Sequence, residues 1–472
     1  MKLGRLSDLF SKKKPAKQPV VVHARFDAAS STADNIRHWG AAEYLSADAE
    51  ARPEIRKTLR IRSRYEEANN SYAKGIVLTL ANDTIGTGPR LQMLTDDEDI
   101  NSRIEGDFAK WSDRIHLPEK LRTMRMSRCR DGETFAVLAQ NPKIDLPVKL
   151  DVQPIEADRV CDDTRLSDQN YIDGIKFDEY GNPVSYRVLN SHPGSQNADD
   201  DLLGYSSKFK VIPAEYMIHS FRQDRPGLHR GIPELTPALP LFAQLRRYTL
   251  AVLASAEAAA DFSGILYTDV PAGGEADSID ALDPIQLQRN MLLTMPNGWK
   301  MGQLDAKQPT STYAEFKAQI LNEIARCLNI PYNIAACNSS GYNYASGRLD
   351  HQTYYKSIRV DQRFIGSTIL DKILRLWLRE YSLSTGLMVG ADVFHAWYWD
   401  GMEHVDPLKE ANATAVRLQN HTTTYAAEFA KQGLDWEDMF DQAAKEKARM
   451  DELGINPADI ANANSNNSNE EE

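Results

Sequence analysis

The order of apolar and polar positions changes several times along the chain, and each change marks an element. From Pro53 the apolar residues recur at helical spacing, which predicts a helix to about Asn82 with Ile76, Leu80 and Ile85 facing a core. Gly86-Thr87-Gly88-Pro89 ends it. Ser102 to Arg130 repeats the helical pattern. The period then drops to two. Asp131-Gly132 is a tight-turn pair, and strand-like runs follow at Glu133–Leu138, Val148–Val152, Gly174–Phe177, Val184–Leu189 and Glu215–Phe221. Asp178 to Pro183 is a hairpin loop between two of them. Residues 41–237 are therefore expected to form an α+β unit with an antiparallel sheet.

A Gly- and Pro-rich hinge, Asp224 to Pro233, leads to a helix over Ala238–Asp261 with Leu241, Leu245, Tyr248 and Val252 on one side. Phe262 to Asp305 is a compact insert with strands expected at Gly264–Thr268, Met291–Thr294 and Trp299–Met301. A helix returns from it at Thr312, where Thr312 and Glu315 have the spacing of a capping box. Phe316, Ile320, Ile324 and Leu328 give that helix an apolar face, and Pro331 stops it. Another helix is expected from Arg348 to Tyr381, with Ile358, Ile365, Ile369, Ile373 and Trp377 inside. It is followed by a strand over Val393–Trp399 and by two or three short helices from Asp406-Pro407 to Leu453.

Between the Thr312 and Arg348 helices lies PYNIAACNSSGYNYASG, residues 331–347. It is seventeen residues without a formal charge in a chain that is 26% charged. Helix–helix connections usually take about 2–8 residues, and loops beyond roughly 12–15 are usually functional or disordered. An uncharged polar and aromatic loop touches a polyanion without holding it, because each Lys–phosphate contact adds salt-dependent affinity.

Composition narrows the classes. The chain has 472 residues, a net charge of −12 and no apolar run near the roughly 18–20 residues of a membrane span. The basic start, with Lys12, Lys13, Lys14 and Lys17, lacks the apolar core of a secretory signal. Residues 1–40 read as a mobile arm suited to an acidic partner or DNA, with synthesis in the cytosol, and residues 456–472 as a disordered acidic tail. Cys129, Cys161, Cys327 and Cys337 form no CxxC pair, so they are expected as small packed thiols with neither a zinc site nor a disulfide framework.

Chemistry finds little purchase. There is no phosphate-cradling G-x-x-x-x-G-K-[ST], no H-E-x-x-H and no G-x-S-x-G. Gly86 to Gly88 is not a dinucleotide fingerprint, since the third glycine is missing. Asp162-Asp163 and Asp199-Asp200-Asp201 are carboxylate clusters of the kind a metal nuclease uses, but no Lys or His is spaced to complete a site. Glu403-His404 reads as solvated, and His219 as a packed core histidine. No catalytic residue, metal or cofactor is expected. A metal-dependent DNA-processing enzyme stays as the alternative function.

Several short motifs, in fixed order, resemble the lambda-type portal proteins of tailed bacteriophages over about residues 53–455. They are Ile85-Gly86-Thr87-Gly88, Arg130-Asp131-Gly132-Glu133, the Gly174–Tyr186 segment, and His219-Ser220-Phe221 with Arg225-Pro226-Gly227 and Arg230-Gly231-Ile232-Pro233. Glu323-Ile324-Ala325 with Ile330-Pro331-Tyr332, Asn343 to Arg348, and Val405 to Glu410 with Gly433–Gly454 complete the series. Ala345, where the family tends to have Ser, is one departure. The resemblance implies a dodecameric ring at one capsid vertex, with a channel for double-stranded DNA and no catalysis. It implies contacts with the large terminase subunit, major capsid and scaffold proteins, and head–tail adaptors, and no membrane. It also implies a portal fold: a mixed helix and antiparallel-sheet wing (41–237), stem helices (238–261 and 312–330), an α/β clip (262–311), a tunnel loop (331–347), a long helix returning to the wing (348–400) and a helical crown (401–455). Ser339, Ser340, Tyr342, Asn343, Tyr344 and Ser346 are then expected at the channel. Arg246, Arg247, Lys317 and Arg326 are the stem candidates.

Overall fold

A computed structural model describes residues 36–162, 171–195, 209–261, 265–268, 299–302, 310–387, 390, 393–401 and 407–454. The basic residues Lys12 to Lys17, the carboxylates Asp163 and Asp199–Asp201, the Met291–Thr294 run, Glu403-His404 and the acidic tail lie outside the described residues.

The first half opens with α1 (Ala47–Glu50), α2 (Pro53–Asn69) and α3 (Ser71–Ile85). The one helix expected here is two. Asn70 adopts an extended conformation, and its side chain accepts hydrogen bonds from the amides of Tyr72 and Ala73, so it ends one helix and caps the next. A strand, β1 (Arg90–Met93), precedes α4 (Glu98–Arg114) and α5 (Leu117–Asp131). These are again two helices where one was expected, parted at His116, whose φ of 55° leaves the helical region, with Pro118 starting the next turn.

The strands come next: β2 (Glu133–Gln140), β3 (Leu150–Ile155), β4 (Tyr171–Ile172), β5 (Ile175–Phe177), β6 (Pro183–Leu189), β7 (Phe209–Pro213) and β8 (Met217–Phe221). They form two antiparallel sheets, ordered β3-β2-β8 and β4-β5-β6-β7. The central strand β2 sets Glu133 opposite Phe221 and Phe135 opposite His219.

Beyond the hinge lie α6 (Leu239–Asp261), β9 (Ile265–Thr268), its antiparallel partner β10 (Trp299–Gly302) and α7 (Thr310–Cys327). Helix α7 starts two residues before Thr312, so Thr312 stands in the first turn and not at the cap. Its buried face is Leu321, Ile324 and Ala325, and Leu328 is buried just beyond its end. Phe316 is half exposed and meets Tyr248 edge-on at 4.9 Å. After α8 (Tyr332–Ala336) comes α9 (Tyr344–Ile365), a π turn over Gly366–Leu370 and α10 (Asp371–Thr385). A last strand, β11 (His395–Tyr398), pairs with β1. The end of the described chain is α11 (Pro407–Gln419), α12 (Tyr425–Lys431) and α13 (Trp436–Leu453).

Two apolar cores are the largest of those among the described residues. One is built from α4, α5, β2, β3 and α10 around Trp111, Phe108 and Trp377. The other gathers α3, α6, α7, α8 and α9 around Phe242, Ile324 and Tyr354. All five apolar residues expected inside the long helix are buried. Ile358 belongs to the second core and the other four to the first, so α9 and α10 join the two. Gly86, at φ 58°, receives Asp400 from just beyond β11. The Asp400 carboxylate accepts from the Thr87 hydroxyl at 2.6 Å, and a side chain on Gly86 would occupy its place.

Candidate functional site

Helix α2 is inverted. Its buried residues are Arg56, Arg60, Ser63, Glu66 and Glu67, while Ile55, Ile61 and Tyr65 are exposed. The cause is Glu133, fully enclosed at the start of β2. Arg230 donates to it from Nε (2.8 Å) and Nη2 (2.7 Å), Arg60 forms an ion pair with it, the Gly231 amide donates at 3.2 Å, and His219 Nε2 lies 3.0 Å away. Burial opposes the charged carboxylate, but Arg230 and Arg60 hold its pKa well below the usual range. Burial pushes the His219 pKa down, and its ring stacks on Phe135 at 4.2 Å and on Phe221 at 4.7 Å. That places His219 as a packed core histidine. Asp173 pairs with Arg56 and Arg230 nearby, and burial with the neighbouring Arg230 lowers the Arg56 pKa to about 9.

This centre explains two of the short motifs. Gly132, at φ 91°, packs its Cα against the backbone of Ile232 and Pro233, and a Cβ there would lie 2.3 Å from the Ile232 carbonyl carbon. Gly231 is held as closely against the Gly132 carbonyl. Arg130-Asp131-Gly132-Glu133 and Arg230-Gly231-Ile232-Pro233 are thus two halves of one contact, with Glu133 and Arg230 as its bond. The role of Asp162 is equally structural. Its carboxylate accepts from the amides of Asp173 (2.9 Å) and Gly174 (2.6 Å) and closes a turn. Among the described residues no three His, Cys, Asp or Glu side chains are grouped to hold a metal ion.

A second buried network ties the hinge to the long helix. Glu234 binds Arg125 (3.1 Å) and Arg128 (3.0 Å), and Asp361 on α9 binds the same pair at 3.0 and 2.7 Å. Despite complete burial, the two guanidinium groups hold the Glu234 pKa down to about 2. Cys129 is buried here and burial raises its pKa, whereas Cys337 is exposed and departs from the expectation of a packed thiol.

The uncharged stretch is more structured than its composition suggests. Residues 332–336 are α8 and residue 344 begins α9, so the irregular part is 337–343 and not the whole of 331–347. Asn343 caps α9: the Ser346 amide donates to Asn343 Oδ1 (2.9 Å), and the Asn343 amide donates to Ser346 Oγ (3.2 Å). That reciprocal cap starts the helix four residues earlier than Arg348. Ser339, Ser340 and Asn343 are exposed, and Tyr342 and Ser346 are half-buried. The Tyr342 amide donates to the Ser339 carbonyl (3.1 Å), and the Ser340 amide to Asn338 Oδ1 (2.9 Å). The Tyr342 hydroxyl bonds Asp350, and burial followed by that carboxylate raises its pKa. Tyr344 is the first residue of α9, and its side chain lies outside the described part.

The four cations expected on the two long helices are not brought together. Arg246 stands over the Tyr65 ring at 5.7 Å, and Lys317 lies 5.1 Å from the Tyr72 ring and 5.8 Å from that of Tyr313. Both are thereby held against neighbouring aromatics. Arg247 is exposed on the adjoining face of α6, and Arg326, near the other end of α7, donates to Asn329 Oδ1 (3.1 Å). Periodicity missed the buried arginines of α2, because it counts charge as outward. It also passed over Arg348, Lys356, Arg359 and Arg363, although their spacing was there to be counted.

A family model described as phage portal protein, lambda family, matches residues 33–362. The chain belongs to the lambda family of phage portal proteins. This portal chain is 26% identical to a probable portal protein of Halomonas phage phiHAP-1, over 84% of its own length and 82% of the relative's. It is 21% identical to the portal protein of Escherichia phage N15, over 63% of each, and 21% identical to portal protein B of Escherichia phage lambda, over 39% of this chain and 37% of that one. Among solved structures, a chain in the neck of an empty GTA particle aligns with a TM-score of 0.48 at 15% identity, covering 79% of this portal chain and 92% of the other. The described architecture is mixed helix and antiparallel sheet. None of the described helices is long and apolar enough to cross a membrane.

Proposed function

We propose that this portal protein assembles as a ring of twelve copies at one vertex of the virion. The ring surrounds a channel through which double-stranded DNA is packaged and later ejected. On this reading residues 41–237 are the wing, α6 and α7 the stem, 262–311 the clip, 348–400 the return to the wing and 401–455 the crown. The ring nucleates procapsid assembly in the host cytoplasm, meets the major capsid and scaffold proteins, docks the large terminase subunit, and receives head–tail adaptors. It does so without catalysis or a cofactor.

The observation that carries the reading is the lambda-family match over residues 33–362, which takes in the uncharged segment and its cap. We place residues 337–343 against the DNA. Ser339, Ser340 and Asn343 offer neutral hydrogen-bonding groups with no cation among them, a surface that lets a polyanion slide. Tyr342, pinned by Asp350, stiffens the segment.

The reading is tested by light scattering on the purified chain, with negative-stain images of the same peak. The expected result is a ring mass near twelve copies with a central hole. A stable monomer or dimer at every salt and protein concentration would sink the proposal.

A further inference from the structure

Helix α9 sorts its charges by side. Arg348, Lys356, Arg359 and Arg363 are all exposed. At 3.6 residues per turn their positions fall within an arc of about 80° and run along about 22 Å of helix. Gln352, also exposed, falls in the same arc. The two carboxylates of the helix, Asp350 and Asp361, lie on the opposite side and are both engaged. Asp350 bonds the Tyr342 hydroxyl, and Asp361 bridges Arg125 and Arg128. Among the described residues none forms a hydrogen bond or ion pair with the four cations. Some exposed arginines elsewhere pair with acids, Arg225 with Glu50, Arg222 with Asp224 at 2.6 Å and Arg449 with Glu452 at 2.5 Å, and the row differs from these in gathering four cations without acid partners on one face.

We propose that this face of α9 binds the phosphate backbone of double-stranded DNA. The inference rests on the reading that the protein conducts DNA, and it names a contact surface beyond the neutral segment. A row of cations without nearby acids is a local positive field on a chain of net charge −12. Phosphates supply acceptors along the whole of such a row, and three of its four members are arginines, whose planar fork matches phosphate geometry. The rival occupant is a neighbouring copy of the chain, because Leu349 and Val360 are exposed at one edge of the row. Against it, protein interfaces are depleted of charge at their centres, and each buried cation would need its own acid. The row begins at Arg348, five residues after the end of the neutral segment at Asn343. DNA that slides past the segment therefore next meets a surface that grips reversibly and in proportion to salt.

The test compares the full chain with a variant carrying Arg348→Gln, Lys356→Gln, Arg359→Gln and Arg363→Gln. Binding to a fluorescein-labelled 30-base-pair duplex is measured by anisotropy between 50 and 300 mM NaCl, and particle mass by light scattering on the same samples. Each phosphate contact contributes about 0.9 to the slope of log affinity against log salt, so the variant's slope is expected to be shallower by at least about 3 at unchanged mass. Equal slopes, or no binding by the unsubstituted chain at 50 mM, overturn the proposal. A fall in the variant's mass also overturns it, since the face would then be a contact between copies. Should the quadruple variant not fold, Arg359→Gln alone is expected to lower the slope by about 0.9 or more, and an unchanged slope again overturns the proposal. A slope difference in a chain that forms no ring would support the DNA contact while the ring reading fails.

Discussion

Helices α2 and α9 are both rich in arginine, and they use it in opposite ways. Helix α2 buries Arg56 and Arg60 and leaves Ile55 and Ile61 in solvent. Helix α9 exposes its four cations and buries Tyr354, Ile358 and Ile365. The residues do not decide this by themselves. Carboxylates from distant parts of the chain converge on α2: Glu133 from β2, Asp158 after β3, and Asp173 before β5. The carboxylates of α9 point the other way. Whether an arginine is structural or available thus depends on where the acids of other segments arrive, which is a property of the fold and not of the helix.

Several measurements press on this contrast. The largest effect is expected at its centre. Glu133→Gln leaves Arg60 and Arg230 buried without their shared counter-charge, and breaking such a pair costs about 3–5 kcal/mol. Urea denaturation should show that loss of stability, or recovery of soluble protein should collapse. A change below about 1 kcal/mol would mean that the pairing of α2 with β2 contributes little.

Acid should act on the buried networks first. Glu133 and Glu234 have folded pKa values below the ordinary 4.5, the latter at about 2. Their contribution is therefore complete above about pH 4.5 and is lost as pH falls toward 2. Glu105 has the opposite sign. Burial first, and then the nearby Asp435, Asp438 and Glu437, raise its pKa to about 7. Its contribution is complete below pH 4.5 and is lost as pH rises through 7. Hydrogen exchange against pH should find the α5–hinge–α9 network opening at acid pH, and the contact of α4 with the start of α13 loosening near pH 7. One shared profile for both regions would break the distinction.

The smallest effect is expected at the cap of α9. Asn343→Ala removes the acceptor for the Ser346 amide and should cost about 1 kcal/mol. Because the cap is exposed and its bonds run only between Asn343 and Ser346, exchange should quicken over residues 344–348 and not in α2. Acceleration throughout the molecule would mean that the segment and the buried networks form one cooperative unit.

Much of the fold was legible in the sequence. The strand runs fell within a few residues of β2, β3, β5, β6 and β8, because alternation on a half-buried sheet is a strong signal. The long helix and its five buried apolar residues were legible because they recur at spacings of four and seven, the period of a helix. What periodicity could not supply were interruptions made by single side chains: Asn70 dividing α2 from α3, the left-handed His116 dividing α4 from α5, and Asn343 with Ser346 starting α9 early. It also could not foresee charges turned inward, since the partners of Arg60 lie about seventy and a hundred residues away. Of the candidate site, the neutral segment was visible as composition. Its two helical ends were not, and of the four cations of α6 and α7, Arg246 and Lys317 proved to be resting on tyrosines.

The π turn at Gly366–Leu370 follows directly on the point, between Ile358 and Ile365, where the long helix passes from one core to the other. Gly366 fits against Trp397, and the hydroxyls of Ser367 and Thr368 take up the carbonyl of Phe364 at 3.2 and 2.6 Å. In an unbroken α-helix, one added residue would swing everything after it by about 100°. Here the surplus is absorbed inside a single turn, so α9 keeps its outward cations while α10 keeps Trp377 and Tyr381 inward. The turn works like a slip joint between two lengths of pipe: the extra residue is taken up at the joint, and the fittings at either end keep their own facing.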